Sequence, residues 1–313
     1  MRTTGRITTM TEVQIHHRLH RALLRHLPDA ARAEPALRSA LRQGAEHPGK
    51  LIRGRLVLAA ACRHGLAPAR SAMLACAVEY FHTSSLLLDD LPCMDDAAVR
   101  RGRPCVHRRH GEATAILAAL ALINRAYALV GRAFAARSFT ERRRATDWLD
   151  RTLGVTGLVG GQAWDLAFAR TERTAALVSR VAAGKTGALL TLAVQLPALL
   201  ARPGRVERRA LEALCVYWGQ LYQIADDFSD LPSGATGSGK TSDRDRRLAR
   251  PNLVLALGAA RAQARYQRLT QQAGRALGEL RRAGGERWNY LLPVQAALTR
   301  PAAREPEVEH HAA

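Results

Sequence analysis

Lysine is almost missing from this chain. Of 47 basic residues in 313, three are lysine (Lys50, Lys185 and Lys240) and the rest are arginine. Aromatic residues are also scarce, at 5%. A formal charge of +20 would ordinarily suggest nucleic acid or an anionic surface, but so few stacking rings and no recognition motif argue against a nucleic-acid partner. The five cysteines are odd in number and contain no C-x-x-C pair, which excludes a disulfide framework and a zinc ribbon and leaves reduced thiols. The most apolar stretch, Gly187 to Ala201, is short for a bilayer and holds Gln195 and Pro197, so no membrane span is expected. Arg2 and Arg6 among threonines leave no apolar core for a signal peptide, and the expected location is the cytoplasm.

What is present is helix-forming. Ala, Leu and Arg dominate, β-branched runs are rare, and 47% of the residues are apolar, enough for a substantial core. Apolar residues recur at helical spacing over 23–27, 51–62, 73–88, 115–130, 189–200 and 211–224, with prolines mostly between these runs. An all-α chain is predicted, organised as a single domain over 1–313 with about ten N-terminal and about twelve C-terminal residues loosely held. Pro232 to Lys240 is a Gly/Ser loop that turns highly charged through Arg250, and it reads as an active-site flap rather than a linker.

The few lysines are informative because each follows a glycine: Gly49-Lys50, Gly184-Lys185, Gly239-Lys240. Chance gives this on the order of a few times in ten thousand at average usage. A compact ammonium beside closely approachable backbone suits phosphate. Aspartate shows the opposite habit. Seven of thirteen fall in two short segments, Asp89-Asp90-Leu-Pro-Cys-Met-Asp95-Asp96 and Asp226-Asp227-Phe-Ser-Asp230. Such clusters repel themselves unless a cation neutralises them, and Mg²⁺ takes a few carboxylates together with phosphate oxygens. Asp226 and Asp230, four apart, would share a helix face. Pro92 would break the helix after Asp90 and swing Asp95 and Asp96 back toward Asp89. The bland alternative is a pair of solvated helix ends.

In this order and spacing the clusters resemble the first and second aspartate-rich motifs of the polyprenyl diphosphate synthases, all-α enzymes that condense isopentenyl diphosphate with an allylic diphosphate. Arg100-Arg101-Gly102-Arg103-Pro104 and Gly49-Lys50-Leu-Ile-Arg53 also match that family's pattern. The resemblance implies the isoprenoid synthase fold, a helical bundle around a central active-site cavity, and commonly a homodimer. It implies that Lys50 and Arg53, three apart on one helical face, hold isopentenyl diphosphate with His82 and Arg101. Arg100, Gln162, Lys185, Thr186, Gln223 and Lys240 would serve the allylic diphosphate. Three Mg²⁺ ions, with Mn²⁺ as a substitute, would be bridged by Asp89, Asp90, Asp95, Asp226, Asp227 and Asp230, and Lys185 would join these in catalysis. Alternatives stay open: Arg100 and Arg101 as surface cations, His82 as a core histidine. The chain departs from the pattern at Gly54, where proline is usual, at Leu51, where a third cation is common, at Thr241, where aspartate is usual, and near Arg250.

Helix geometry bears on the product. One turn rises about 5.4 Å, close to one isoprene unit. Ser85 and Phe81 lie about one and two turns before Asp89, and Ser84 occupies the position where members making fifteen-carbon products carry a bulky aromatic. Two serines leave the floor open and Phe81 closes it deeper, which predicts a C20 product of the kind made by bacterial geranylgeranyl diphosphate synthases of carotenoid pathways. Farnesyl diphosphate synthesis and a class I terpene cyclase of the same fold are the rival readings. A cyclase has no need of Lys50, Arg53 and Arg101.

Overall fold

The computed structural model describes residues 12–171, 174–229 and 252–299. Asp230, Lys240, Thr241, Arg250, the whole flap and both chain ends lie outside the described residues. Those described form helices and one two-stranded hairpin, so the all-α expectation holds. The chain divides into two compact units, Met1–Leu158 with Ala188–Pro203, and Val159–Gly187 with Gly204–Ala313.

The first unit contains α1 (Glu12–His26), α2 (Pro35–Glu46), α3 (Ile52–Arg63), α4 (Pro68–Asp89), the hairpin β1 (Val99–Arg100) and β2 (Arg103–Pro104), α5 (Val106–His110), α6 (Glu112–Ala133), α7 (Phe139–Leu153) and α10 (Ala188–Ala198). Helix α4 is its axis. Ala75, Cys76 and Ala77 are fully buried, as are Ala115, Ala118 and Ala126 on α6, and these small side chains let the two helices pack along their lengths. Being apolar on every side, α4 is also covered by α1, α3 and α10. The start of α7 carries a capping box, with Ser138 accepting from the Glu141 N–H and Glu141 accepting from the Ser138 N–H.

The second unit contains most of α8 (Leu158–Ala167), α9 (Ala175–Ala182), a π turn (Ala183–Gly187), α11 (Arg205–Ser229), α12 (Leu253–Leu257), α13 (Ala259–Gly284) and α14 (Leu292–Leu298). Helices α11 and α13 pack side by side around fully buried Trp218 and the nearby Trp288 of a 3₁₀ turn. Glu207, buried near the start of α11, accepts from the Gly204 N–H, from Trp288 Nε1 at 2.8 Å and from Arg287, which ties the chain after α13 back to that helix start.

The expected lack of a membrane-length helix needs correction. Glu112–Ala133 and the continuous run Ala175–Ala201 are both long and apolar enough to cross a bilayer by length and composition, because the π turn joins helix to helix and extends the apolar stretch considered above. In these two windows, 39% and 56% of the residues are buried within the protein, and length and composition alone are weak support for a span.

Candidate active site

In the first unit the site grows from the C-terminal half of α4 and the loops beside it. The helix stops at Asp89, and Pro92 cannot continue it. The chain then folds back: the Asp95 N–H donates to the Asp89 carbonyl at 2.9 Å, and the Ala97 N–H to the Asp90 carbonyl at 3.1 Å. The predicted return of Asp95 toward Asp89 is therefore observed. Asp96, at a positive φ of 44°, turns away and pairs with Arg108 at 2.6 Å.

Asp89 and Asp90 differ in environment. Asp90 is 3% exposed and receives Arg100 on both oxygens, Nε lying 2.8 Å from Oδ1 and 2.9 Å from Oδ2. This bidentate pair, part of the wall of a cavity of about 60 Å³ that also touches Gln43, His47 and Arg101, fixes the hairpin that carries Arg101. Cys105 lies against the same carboxylate, and burial together with that negative neighbour pushes its thiol up to about 12. Asp89 is half-buried.

The cations predicted for isopentenyl diphosphate do gather, though not as drawn from the sequence. Lys50 is not on a helix with Arg53. Gly49 and Leu51 both take positive φ, 73° and 51°, so α3 begins only at Ile52 and Lys50 sits in the turn before it. Gly49 is required there: a Cβ would lie 2.7 Å from Arg101 Cζ, so its absence lets the guanidinium rest on the backbone next to Lys50. Arg101 donates to the His47 carbonyl at 2.6 Å. Arg53 Nε and His82 Nδ1 are buried without a hydrogen-bond partner. Burial, followed by Arg53, Arg101 and Arg100, pushes His82 down to about 3, so its ring is neutral and offers one N–H. Glu79, one turn earlier on α4, is 3% exposed and accepts from the Gly54 N–H at 2.6 Å. Burial raises its carboxyl, and Gly54, Arg53 and Arg101 oppose that rise. The sequence reading passed over Glu79. Its signal was available as the one acid in the apolar run 73–88.

In the second unit α8 and the π turn touch backbone to backbone, since a Cβ on Gly161 would lie 2.3 Å from the Lys185 N. Lys185 projects from that turn and pairs with buried Asp165 at 2.7 Å. Asp165 was also missed, although it stands three residues after Gln162 and so on the same side of α8. From Thr186 a relay runs to the second cluster: Thr186 Oγ1 donates to Gln223 Oε1 at 2.9 Å, and Gln223 Nε2 donates to Asp227 Oδ1 at 2.6 Å. Asp227 Oδ2 accepts the Leu253 N–H at 2.6 Å, which places this carboxylate at the start of α12. Asp227 is 1% exposed, whereas Asp226 is on the surface of α11. Lys185, Thr186, Gln223 and Asp227 are thus brought together, and Gln162 is half-buried on α8.

Among the described residues no three acidic, His or Cys side chains converge on one point. The donor set still fits Mg²⁺, which binds hard carboxylate oxygens one or two at a time and fills the remaining positions with water and phosphate oxygens.

The polyprenyl synthetase family model matches residues 34–283. A geranylgeranyl diphosphate synthase of Pantoea ananas is 37% identical over 237 residues, covering 75% of this chain and 76% of that one. Another, from Cereibacter sphaeroides, is 34% identical over 272 residues, covering 82% and 90%. Among solved structures, a geranyltransferase from Helicobacter pylori complexed with magnesium and isoprenyl diphosphate superposes with a TM-score of 0.79 at 26% identity, over 92% of this chain and 96% of that one. The helical architecture and these likenesses define a trans-prenyltransferase of the isoprenoid synthase fold. The chain belongs to the polyprenyl synthetase family.

Proposed function

We propose that this enzyme condenses isopentenyl diphosphate with an allylic diphosphate (dimethylallyl, geranyl or farnesyl) and that its main product is the C20 geranylgeranyl diphosphate. The observation that carries the reading is the group of Arg53, His82 and Arg101 around buried atoms that have no protein partner, which is the equipment for a second diphosphate that a cyclase would not need. Two guanidinium groups and a neutral imidazole N–H supply donors to that anion. The match over 34–283 spans both compact units and supports their working as one catalytic domain.

On this reading bound Mg²⁺, three ions in number, would supply positive charge to offset that of the departing allylic diphosphate. Asp89 and Asp95 of the first cluster and Asp226 of the second would serve as metal ligands, with Asp230 outside the described residues. Asp90 and Asp227 work one step back, Asp90 by holding Arg100 and Asp227 by anchoring Gln223 and α12. Lys185, fixed by Asp165, and Arg100 stabilise negative charge on the allylic diphosphate. The allylic cation left behind is attacked by the isopentenyl alkene, and the departed diphosphate takes the proton.

The C20 assignment rests on Ser84 and Phe81. Ser84 is 2% exposed and donates to the Phe81 carbonyl at 2.9 Å, Ser85 donates to the His82 carbonyl at 2.9 Å, and both hydroxyls are thus spent on their own helix. Phe81 is buried with its ring edge-on to Tyr127 of α6 at 5.1 Å, which supports a deep stop. The exposed apolar residues Ile116, Leu117 and Leu120 of α6 support a homodimer, and the five free thiols suit the cytoplasm. Product chromatography after incubation with isopentenyl diphosphate, Mg²⁺ and each primer in turn tests the reading. C20 is expected, a C15 main product makes it a farnesyl diphosphate synthase, and primer loss without isopentenyl diphosphate consumption makes it a cyclase.

A further inference from the structure

The start of α3 has a peculiarity that its own sequence does not resolve. Leu51, its N-cap residue, lies in the left-handed region and has no side-chain oxygen, so no local group accepts the first-turn N–H groups. The acceptor comes from another helix instead. Glu79 on α4 takes the Gly54 N–H, the third of α3, at 2.6 Å, in the position an N-cap side chain would fill. The fit leaves no spare room: a Cβ on Gly54 would lie 2.8 Å from Glu79 Cγ and 2.8 Å from Leu19 Cδ2. Arg53, the residue before Gly54, carries the buried Nε that has no partner. Arg53 and Arg101 are also the two cations whose charge acts on Glu79.

We propose that Glu79 and Gly54 form a positioning unit, in which the α4 carboxylate caps α3 from outside and so sets the direction in which Arg53 meets isopentenyl diphosphate. This deepens the function proposed above and rests on Arg53 serving that substrate. Glu79 touches no substrate; it acts through the helix start. The cap requires a residue at 54 with an N–H and no Cβ, which gives a physical reason for glycine at a position where the family pattern has proline. Because the carboxylate is buried, a shift of the helix start exposes no alternative acceptor, and the α3 register has one satisfied arrangement.

The test compares Glu79→Leu, Glu79→Gln and Gly54→Ala with Arg53→Gln. Binding is read by calorimetry with isopentenyl diphosphate alone, without primer or metal, and the Michaelis constants for both substrates are measured alongside. Glu79→Leu is expected to weaken isopentenyl diphosphate binding about tenfold or more, with the Michaelis constant for the primer within about twofold. Glu79→Gln keeps an acceptor for the Gly54 N–H and is expected to return binding to within about threefold of the parent. Gly54→Ala keeps Glu79 but forces it away, and is expected to weaken binding about fivefold, so the inference stays testable if Glu79→Leu loses its helical circular dichroism. Unchanged binding in Gly54→Ala, equal rises in both Michaelis constants, or a Gln variant no better than the Leu variant overturns it. If Arg53→Gln itself binds normally, the assignment of the site fails; if Arg53→Gln binds weakly while the Glu79 and Gly54 variants bind normally, only the positioning unit fails.

Discussion

Asp226 and Asp227 are neighbours in sequence, and the structure predicts that replacing each with alanine harms the enzyme in different ways. Asp227 accepts two charge-assisted hydrogen bonds of 2.6 Å in a site that is 1% exposed. Bonds to buried charges contribute about 1.5–3 kcal/mol each, and the alanine variant would also leave the Gln223 amide and the Leu253 N–H without their acceptor. A loss of about 3 kcal/mol or more follows, which for a chain of this size lowers Tm by about 4–5 °C or more. Asp226 stands on the exposed side of α11, where substitution costs about 0.5 kcal/mol or less, so Asp226→Ala should keep its Tm within about 2 °C. Both variants should lose most turnover, Asp226→Ala through the metal and Asp227→Ala through a displaced Gln223 and α12. Asp227→Asn separates the effects further. Its carbonyl can accept the Leu253 N–H, while Gln223 flips its amide and Thr186 reverses its hydroxyl, so most stability should return. Scanning calorimetry beside a turnover assay reads all three. Equal Tm values for the two alanine variants would refute the division of roles.

Three further outcomes follow from the same geometry. Ser84→Tyr places a ring in a position that is 2% exposed, straining the longer chain only, so the main product should shift from C20 to C15 while primer is still consumed; Phe81→Ala should let chains beyond C20 appear, and an unchanged product profile in chromatography would remove the basis for C20. The neutral His82, held down to about 3 against an ordinary value near 6.5, gives stability that is complete above about pH 6.5 and is lost as pH falls toward 3, with a slope of up to about 1.4 kcal/mol per pH unit. His82→Gln should flatten urea-derived stability over that window by the same amount. Chelation should abolish turnover without unfolding the helices, and added Mg²⁺ should restore it, as followed by product formation and circular dichroism.

The helices were legible because apolar spacing and proline punctuation are local signals: α4, α6 and α11 contain the runs read from sequence, and α10 holds all but the last two residues of 189–200. α7 was not among them, since its polar surface, Glu141 to Arg144 in particular, dilutes the apolar pattern. The Asp clusters were legible because charge so concentrated is rarely accidental in a chain with few acids. The division of labour inside each pair was not, since nothing in Asp-Asp says which member an arginine or a helix start will claim.

Sequence alone determined the class of chemistry: carboxylate clusters for a cation, sparse Gly-Lys steps for phosphate, and an all-helical frame to hold them, all visible because residue type and short spacing decide charge and helix periodicity. Tertiary structure decided which of those groups are spent on the protein itself. Asp90 is closed by Arg100, Asp227 by Gln223 and Leu253, Lys185 is met by Asp165, and Glu79 caps a helix 25 residues away. Each of these depends on which elements meet in space. A buried polar atom must find a partner from whatever helix lies against it, and linear spacing carries no record of that neighbour.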